Sequence, residues 1–239
     1  MAKPQPEDLS ATVARQYWRA LVENAISLIE DAARLVKNSP ARARSLLILA
    51  REETGKASKL YDLAAVAWSE GREVVTLDGR FVGLEKMHNP KITASIEADE
   101  DLDPFWGDYS AYEDFDVETD DLEKWVRRKD LDREAQAGLL NLQKQAGFYV
   151  DRVGQTITAP VDAEVGDMRL ALIRAAQVAE MLLISDHTRT QYLPAERQGS
   201  TMDLQMRVMP YSHPDEFSEA FDESGDGPED ELAAPPGPT

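Results

Sequence analysis

One short run in the first third of the chain combines two carboxylates with a lysine. It reads Arg51-Glu52-Glu53-Thr54-Gly55-Lys56. Glu53 falls in a line of apolar residues at helical spacing, where a carboxylate is costly unless it is paired, and Lys56 stands one helical turn away. The pattern fits a structural ion pair that fixes helix register, or a functional site built from charges that perturb one another. Gly55 costs about 1 kcal/mol relative to alanine inside a helix, which predicts that another backbone or a ligand passes close by.

A second group of candidate residues surrounds a histidine. The run is Met87-His88-Asn89-Pro90-Lys91. Histidine transfers protons near neutral pH, so His88 is a candidate general acid or base, with Lys91 three residues away. The alternative is a structural histidine. Because proline disfavours a helical conformation in the residue before it, we expect a kink or break just after His88.

Two polar residues of the first helical pattern, Asn24 and Asp31, lie seven positions apart and therefore share one helix face. This face borders the apolar stripe of the helix. One interpretation is an edge position that hydrogen-bonds to the next helix, and the other is a polar seam that faces a site. His187 follows the last helical pattern and is interpreted as a partner of the helix dipole.

Several other chemistries lack the residues they need. The chain has no cysteine, which excludes disulfides, zinc–thiolate sites, iron–sulfur clusters and cysteine nucleophiles. It has no glycine-rich phosphate loop, no HExxH and no GxSxG. A carboxylate-bridged metal pair in a helical bundle needs two Glu-x-x-His repeats, and the sequence does not supply the pair. We therefore expect neither a metal nor another cofactor.

The elements that must position these residues are helices. Helical periodicity predicts an all-α fold, a bundle of four or five main helices. The main spans are about 10–38, 40–70, 122–146 and 161–185, with a shorter helix that Asp78 caps and that runs through Met87. Ser39 and Pro40 are typical of a helix start, and the short link makes the first two helices antiparallel neighbours. The runs GFYVD and GQTITAP are predicted as a short extended stretch and a loop.

The formal net charge of −19 is unevenly distributed. Residues 97–123 hold thirteen acids and no base, and residues 199–239 hold ten acids and one base. The rest of the chain therefore carries a small positive charge. The overall acidity is weak evidence against a polyanionic substrate, because it belongs to two segments and not to the body.

The chain is expected to divide into three parts. Residues 1–9 form a flexible arm, 10–198 a single α-helical domain, and 199–239 a disordered, acidic, proline-rich tail. Within the domain, 97–121 is an acidic loop rich in aromatic residues. No apolar run is long enough to span a bilayer, and the first residues have no apolar signal region, so we expect a cytoplasmic protein without membrane contact.

Four of these motifs in order resemble the AbiV-type abortive infection proteins of bacteria. The resemblance covers roughly residues 17–185. It is carried by ENAISLIEDAARLV, ARARSLLILAREETGKASKL, MHNPK and GFYVD. It implies a role in antiphage defence, in which the infected cell stops growing or dies so that the phage does not spread.

The family is grouped with the HEPN helical superfamily, and this implies a homodimer and metal-independent RNA cleavage. If the protein is such an enzyme, His88 acts as acid or base, Lys56 or Lys91 neutralises phosphate, and Glu53 orients the base or a lysine. Asn24, Asp31 and Glu52 are supporting residues. The superfamily's enzymes use an arginine followed by four to six residues and a histidine. Here Arg80 precedes His88 by seven intervening residues, and Arg207 and His213, which have the right spacing, fall in the predicted tail and are interpreted as coincidence.

Two alternatives need no catalysis. In the first, the acidic aromatic segment 97–123 binds a basic protein of the phage or the host, an attraction that salt would weaken. In the second, the protein is an antitoxin-like partner that masks a basic toxin. In the first alternative, the polar centre around Glu53 is structural.

Overall fold

The computed structural model describes residues 4–110, 121–194 and 199–217, and most of them are helical. The helices are α1 (Ala11–Leu35), α2 (Pro40–Glu70), α3 (Gly79–Leu84), α4 (His88–Glu100), α5 (Leu102–Phe105), α6 (Leu122–Ala146), α7 (Met168–Thr190) and α8 (Met202–Ser212). The strands are β1 (Glu7–Ser10), β2 (Val74–Leu77), β3 (Asp151–Val153) and β4 (Thr156–Thr158). The prediction of an all-α helical bundle is confirmed.

Helices α1 and α2 form the antiparallel pair that the short link predicts. Ser10 caps α1 by accepting a 3.2 Å hydrogen bond from the Val13 amide. Trp18, near the start of α1, packs against Tyr61 and Trp68, near the end of α2, with ring centroids 5.7 and 6.2 Å away. The beginning of one helix therefore meets the end of the other.

Helix α2 lies at the centre and separates two apolar clusters. The larger cluster joins it to α1, α7, α8 and β2, and its fully buried members include Trp18, Leu60 and Leu183. The smaller cluster joins α2 to α4 and α6 and consists of Ile48, Ile92, Ile96, Ala137 and Leu140. Because α2 is buried on two sides, polar side chains on it are held between packed helices.

Gly55 lets α4 approach the backbone of α2. A Cβ atom at this position would lie 2.6 Å from the Ser95 amide nitrogen and 2.7 Å from the Lys91 carbonyl oxygen. Real Cβ atoms do not come this close to other heavy atoms. The prediction that another backbone passes close to Gly55 is confirmed.

The N-terminal arm is partly a strand, so the prediction of a flexible segment over 1–9 is wrong for Glu7–Leu9. Strand β1 pairs antiparallel with β2, with Glu7 opposite Leu77 and Ser10 opposite Val74. The pairing places Val75 and Leu77 in the large apolar cluster. Such a strand is not apparent from its own four residues, because its stability comes from a partner more than sixty residues away.

The segment after α6 also differs from the prediction. Strands β3 and β4 form a small antiparallel hairpin around Gly154, which has a positive φ of 62°. The predicted loop GQTITAP therefore contains a strand, Thr156–Thr158. Helix α7 begins at Met168 and not near 161, because the Asp167 side chain caps it by accepting a 2.9 Å hydrogen bond from the Leu170 amide.

The predicted acidic loop 97–121 is partly helical where it is described. Its first residues complete α4, α5 follows, and residues 111–120 lie outside the described part. Arginines from later helices hold the acids in place: Arg133 pairs with Glu100 at 2.6 Å and Arg174 with Asp103 at 2.6 Å. The run of acidic residues does not predict these helices from the local sequence, because the arginines that neutralise its carboxylates lie far away in the chain.

The prediction of a disordered tail from residue 199 is wrong for Met202–Ser212, which form α8. Leu204 and Val208 are fully buried against the rest of the bundle. The proline-rich composition of the tail leads to the prediction of disorder, although this segment has a short apolar face. Pro210 lies inside the helix. Residues 218–239 are outside the described part of the chain. Among the helices that are described, none is long and apolar enough to cross a membrane.

Candidate functional site

Helix α4 begins at His88 and presents this side chain to solvent. Met87 is the N-cap and Pro90 lies in the first turn, where a proline is tolerated because the amide there has no helical partner. The expected break therefore precedes His88 instead of following it. The His88 side chain is 64% exposed.

Glu52 stands behind the histidine. Its side chain is only 4% exposed, and its Oε2 lies 3.1 Å from His88 Nδ1. The other carboxylate oxygen, Oε1, accepts a hydrogen bond from the Nζ of Lys144, which is itself 9% exposed. Helices α2, α4 and α6 thus each supply one side chain to this Glu52 cluster. A buried carboxylate of this kind is tolerated because it is both paired and hydrogen-bonded.

The two contacts of His88 Nδ1 exclude each other as hydrogen bonds. Lys144 Nζ lies 3.2 Å from Nδ1, close to the distance that separates Nδ1 from Glu52. A protonated Nδ1 donates to Glu52, whereas a deprotonated Nδ1 accepts from the Lys144 ammonium. In either form Nδ1 is engaged inward. The arrangement therefore orients the imidazole and leaves Nε2 as the nitrogen available for proton transfer.

Contacts with the start of α2 hold the end of α6 in the position from which Lys144 reaches Glu52. Ser45, buried in α2, lies with its hydroxyl 2.8 Å from the Lys144 carbonyl oxygen, to which it donates. Gly147 follows, and a Cβ there would overlap Ser45 and the Ala41 carbonyl. The close contact of α2 with the end of α6 therefore requires glycine at 147 and sets the position of the lysine.

The predicted pair Glu53–Lys56 exists, but it is not the buried one. Lys56 Nζ lies 2.8 Å from Glu53 Oε1, and the two side chains are 11% and 20% exposed. The prediction that Glu53 is the carboxylate buried among apolar residues is therefore wrong. The buried carboxylate is that of its neighbour, Glu52. Because α2 packs on two sides, the face one residue earlier, with Glu52, points towards α4 and α6.

A second polar cluster adjoins the first and involves Tyr17. Its hydroxyl donates a 2.8 Å hydrogen bond to Glu85, three residues before His88. Burial, the Glu85 hydrogen bond and the negative charges of Glu85 and Glu53 raise the pKa of Tyr17 above its ordinary value. Tyr17 therefore stays protonated and acts here as a hydrogen-bond donor.

Three other predicted site residues are not brought to the Glu52 cluster. Asn24 is exposed, and Asp31 pairs with Arg34 at 2.6 Å on the surface of α1. The Lys91 carbonyl packs against Gly55, and its ammonium makes no ion pair within the described residues. Asn24 and Asp31 thus have no supporting role in this cluster, and Lys91 remains an uncommitted cation one turn from His88.

Arg207 and His213 both lie in ordered structure but contact different helices. Arg207 binds Glu30 of α1 at 2.9 Å, and His213 Nε2 lies 2.8 Å from Glu180 of α7. Glu180 is buried, so His213 is a structural partner for it. Their sequence spacing therefore does not correspond to a shared site.

A cleft of about 760 Å³ opens beside Asn89 and Pro90, the residues that follow His88. Its polar lining includes Lys59, Asp62 and Arg80. Burial raises the pKa of Asp62 above its ordinary value, and the nearby Lys59 opposes this rise. The cleft does not include Glu52 or Lys144, so it adjoins the histidine without containing the cluster. Within the described residues, no group of three or more histidines and carboxylates could hold a metal ion.

Lys144 is the functional candidate that the sequence motifs missed. The signal was its place on the inward face of α6, at helical spacing from Ala137 and Leu140, which are both buried. A lysine on an apolar stripe requires a partner, just as a carboxylate does. The spacing cannot identify that partner, since Glu52 lies 92 residues away.

The fold and the cluster define an all-α protein with an exposed imidazole backed by a buried carboxylate and a buried lysine. A family model described as AbiV, within the HEPN group, matches residues 13–180. The chain belongs to this family, so the resemblance inferred from the motifs is confirmed. The match includes Glu52, His88 and Lys144 and ends before α8. Neither a curated protein nor a solved structure matches the chain.

Proposed function

We propose that this protein is an abortive-infection effector that acts in the bacterial cytoplasm against phage, with the Glu52 cluster as its functional centre. Membership of the AbiV family supports the defence role. The observation that carries the choice of centre is the exposed His88 imidazole, held from behind by a buried carboxylate. The exposed imidazole can reach a substrate, and the buried carboxylate fixes its orientation.

The reaction we propose is metal-independent cleavage of RNA. The neutral imidazole of His88 accepts the proton of a ribose 2′-hydroxyl, and the 2′-oxygen forms a bond to the adjacent phosphorus. The bond from phosphorus to the 5′-oxygen breaks, and the imidazolium returns its proton to that leaving oxygen. The products are a 2′,3′-cyclic phosphate and a free 5′-hydroxyl, so protons and bonds balance.

The other charged residues have separate roles in this proposal. Glu52 orients His88 and stabilises the imidazolium, and Lys144 balances the buried carboxylate while the imidazole is neutral. Lys144 is committed to Glu52, and Lys56 is paired with Glu53. Lys91 and Arg80 have no ion pair within the described residues, and we assign them to neutralise phosphate, Arg80 from the cleft wall.

The test compares His88→Ala with His187→Ala, expressed in the same bacterial host. His187 is also exposed and lies at the end of α7, which makes it a matched control. We expect the wild type and His187→Ala to arrest growth and cleave RNA, and His88→Ala to do neither. Equal toxicity and equal RNA damage from all three proteins would contradict the proposal.

A second candidate function is non-enzymatic binding of a basic protein of the phage or the host. Trp106 and Tyr109 are 52% and 64% exposed, and acidic residues such as Asp103 and Asp108 lie beside them in the chain. The variant Trp106→Ala/Tyr109→Ala separates the two functions. If it abolishes growth arrest while His88→Ala does not, binding and not cleavage is the activity.

A further inference from the structure

Helix α6 has an apolar face that packs against nothing in the described chain. Its inner face carries the buried Ala137, Leu140 and Lys144. On the opposite side, Leu131, Leu139 and Leu142 are 59%, 62% and 62% exposed. Surface helices ordinarily direct their polar face outward. Three exposed leucines on the solvent side of one helix therefore indicate a surface that something outside the described residues covers.

Gly138 lies in the middle of this outer face, and no contact within the described residues explains why a glycine occupies this position. A glycine inside a helix costs about 1 kcal/mol relative to alanine. At Gly55 the cost is explained by the backbone of α4, whereas a Cβ atom at Gly138 would meet nothing within 4 Å. The open space indicates that the close neighbour of Gly138 lies outside the described residues.

The residues of the outer face repeat symmetrically. Leu131, Ala135, Gly138 and Leu142 follow one another at spacings of four, three and four, which is the seam of a paired helix. Read from either end, the order is large, small, small, large. A two-fold axis between residues 136 and 137 would place Leu131 against the partner's Leu142 and Ala135 against the partner's Gly138. Such self-complementarity is what an interface between identical copies requires.

The charges of α6 select the antiparallel orientation. Residues 122–129 carry Lys124, Arg127, Arg128 and Lys129 against one acid, Glu123, whereas residues 135–146 carry only Lys144, which is buried and paired with Glu52. A parallel pair would bring the basic segments 122–129 of the two copies together. An antiparallel pair about this axis sets residues 122–129 beside residues 144–151 of the other copy, where the one cation, Lys144, is already paired, and this avoids the repulsion.

We propose that two copies of the chain associate through α6, antiparallel, along the seam formed by Leu131, Ala135, Gly138 and Leu142. Family membership suggests a dimer but does not say which surface forms it, and this assignment does not depend on RNA cleavage. One helix pair is at the small end of interface sizes, so the dimer should dissociate at concentrations in about the micromolar range.

Sedimentation of the full-length protein over a dilution series tests the surface. We expect Leu142→Glu to weaken dimerisation by about 100-fold or more, because the substitution occurs twice in each dimer. Leu170→Glu on α7 is the matched control, since Leu170 is 56% exposed and lies off the seam. Circular dichroism checks that both variants remain folded. A monomeric wild type, or equal dimerisation of both variants and the wild type, would overturn the proposal.

Single cysteines test the orientation, because the natural chain has none. Mixing Leu131→Cys with Leu142→Cys protein should yield a disulfide-linked pair of the two variants. In the antiparallel dimer two copies of position 131 lie roughly 16 Å apart along the axis, too far for a disulfide. Leu131→Cys alone should therefore not crosslink. Crosslinking of Leu131→Cys alone as efficiently as the mixture would contradict the antiparallel arrangement.

Discussion

Glu52 is a buried carboxylate, and its neighbours supply the hydrogen bonds that water would otherwise provide. The Lys144 ammonium donates to one oxygen, and the ring of His88 lies 3.1 Å from the other. Removing one member of such a pair leaves the other charge buried without compensation. Substitutions in the Glu52 cluster therefore change stability directly, so the stability of each variant must be measured separately from the activity that we propose for it.

Glu52→Gln should destabilise the protein by about 3–5 kcal/mol, since it leaves the Lys144 ammonium buried without its counter-charge. Glu53→Gln, which alters the neighbouring and more exposed pair with Lys56, should cost at most about 1 kcal/mol. Urea unfolding of both variants measures the difference. The double variant Glu52→Gln/Lys144→Met should recover part of the loss. Equal midpoints for the two single variants would show that Glu52 is not a buried ionic partner.

At the scale of elements, two close helix contacts position the site. Gly55 brings α4 against α2, and Ser45 with Gly147 brings the end of α6 against the start of α2. These contacts set the distance from His88 and Lys144 to Glu52. A change in helix spacing would separate the three side chains even if none of them were altered.

Gly55→Ala should destabilise the fold by about 1–3 kcal/mol, because its Cβ meets the α4 backbone and not a flexible side chain. Gly138→Ala provides the control for adding a methyl group to a helical glycine, since it points into open space. In protein diluted until it is monomeric, this control should be neutral or stabilising by up to about 1 kcal/mol. Thermal unfolding compares them. Similar losses from both would mean that helix propensity, and not the α2–α4 contact, explains Gly55.

Helix α8 contributes to the core despite its proline-rich surroundings. Leu204 is fully buried, so Leu204→Ala should cost about 2–5 kcal/mol. Met206 on the same helix is 59% exposed, and Met206→Ala should change the stability by less than about 0.5 kcal/mol. Denaturant unfolding distinguishes the two. If Leu204→Ala were as mild as Met206→Ala, α8 would not be docked in solution.

At the scale of the whole molecule, two half-buried tyrosines link stability to high pH. Burial, followed by the charge of Asp186, raises the pKa of Tyr61 to about 12. Burial also raises the pKa of Tyr17, by more than that of Tyr61. Below a pH of about 10, both residues are protonated in the folded and unfolded states and contribute no pH dependence. Between about 10 and 12, only the unfolded chain ionises, so the free energy of unfolding falls as the pH rises.

Measuring the free energy of unfolding at several pH values from about 9 to 11.5 checks this expectation. The wild type should lose stability steadily above a pH of about 10. Tyr61→Phe should show a smaller slope, whatever its stability at neutral pH, whereas Tyr149→Phe should leave the slope unchanged because Tyr149 is 63% exposed. Identical slopes for the wild type and Tyr61→Phe would contradict the assigned linkage.

The sequence predicts the elements of this molecule better than their partners. Helices over 40–70 and 122–146 are predictable because Pro40, Gly71 and Gly147 delimit them, and the cap at Asp78 follows from local chemistry. The strand pairing of β1 with β2 and the docking of α8 are not, since both depend on distant surfaces. At the site, His88 and the pair of glutamates can be identified from the sequence. The choice of Glu52 over Glu53 depends on tertiary packing.

The Glu52 cluster also has a consequence for the order of events during synthesis. Its members come from positions separated by 36 and 92 residues, and translation delivers them one after another. A nascent chain that has released α2 and α4 from the ribosome holds the carboxylate and the imidazole but not yet the ammonium. The centre is completed only when the last of the three helices emerges and docks. In the RNA-cleavage proposal, an unfinished polypeptide would therefore not damage the translation machinery that is producing it.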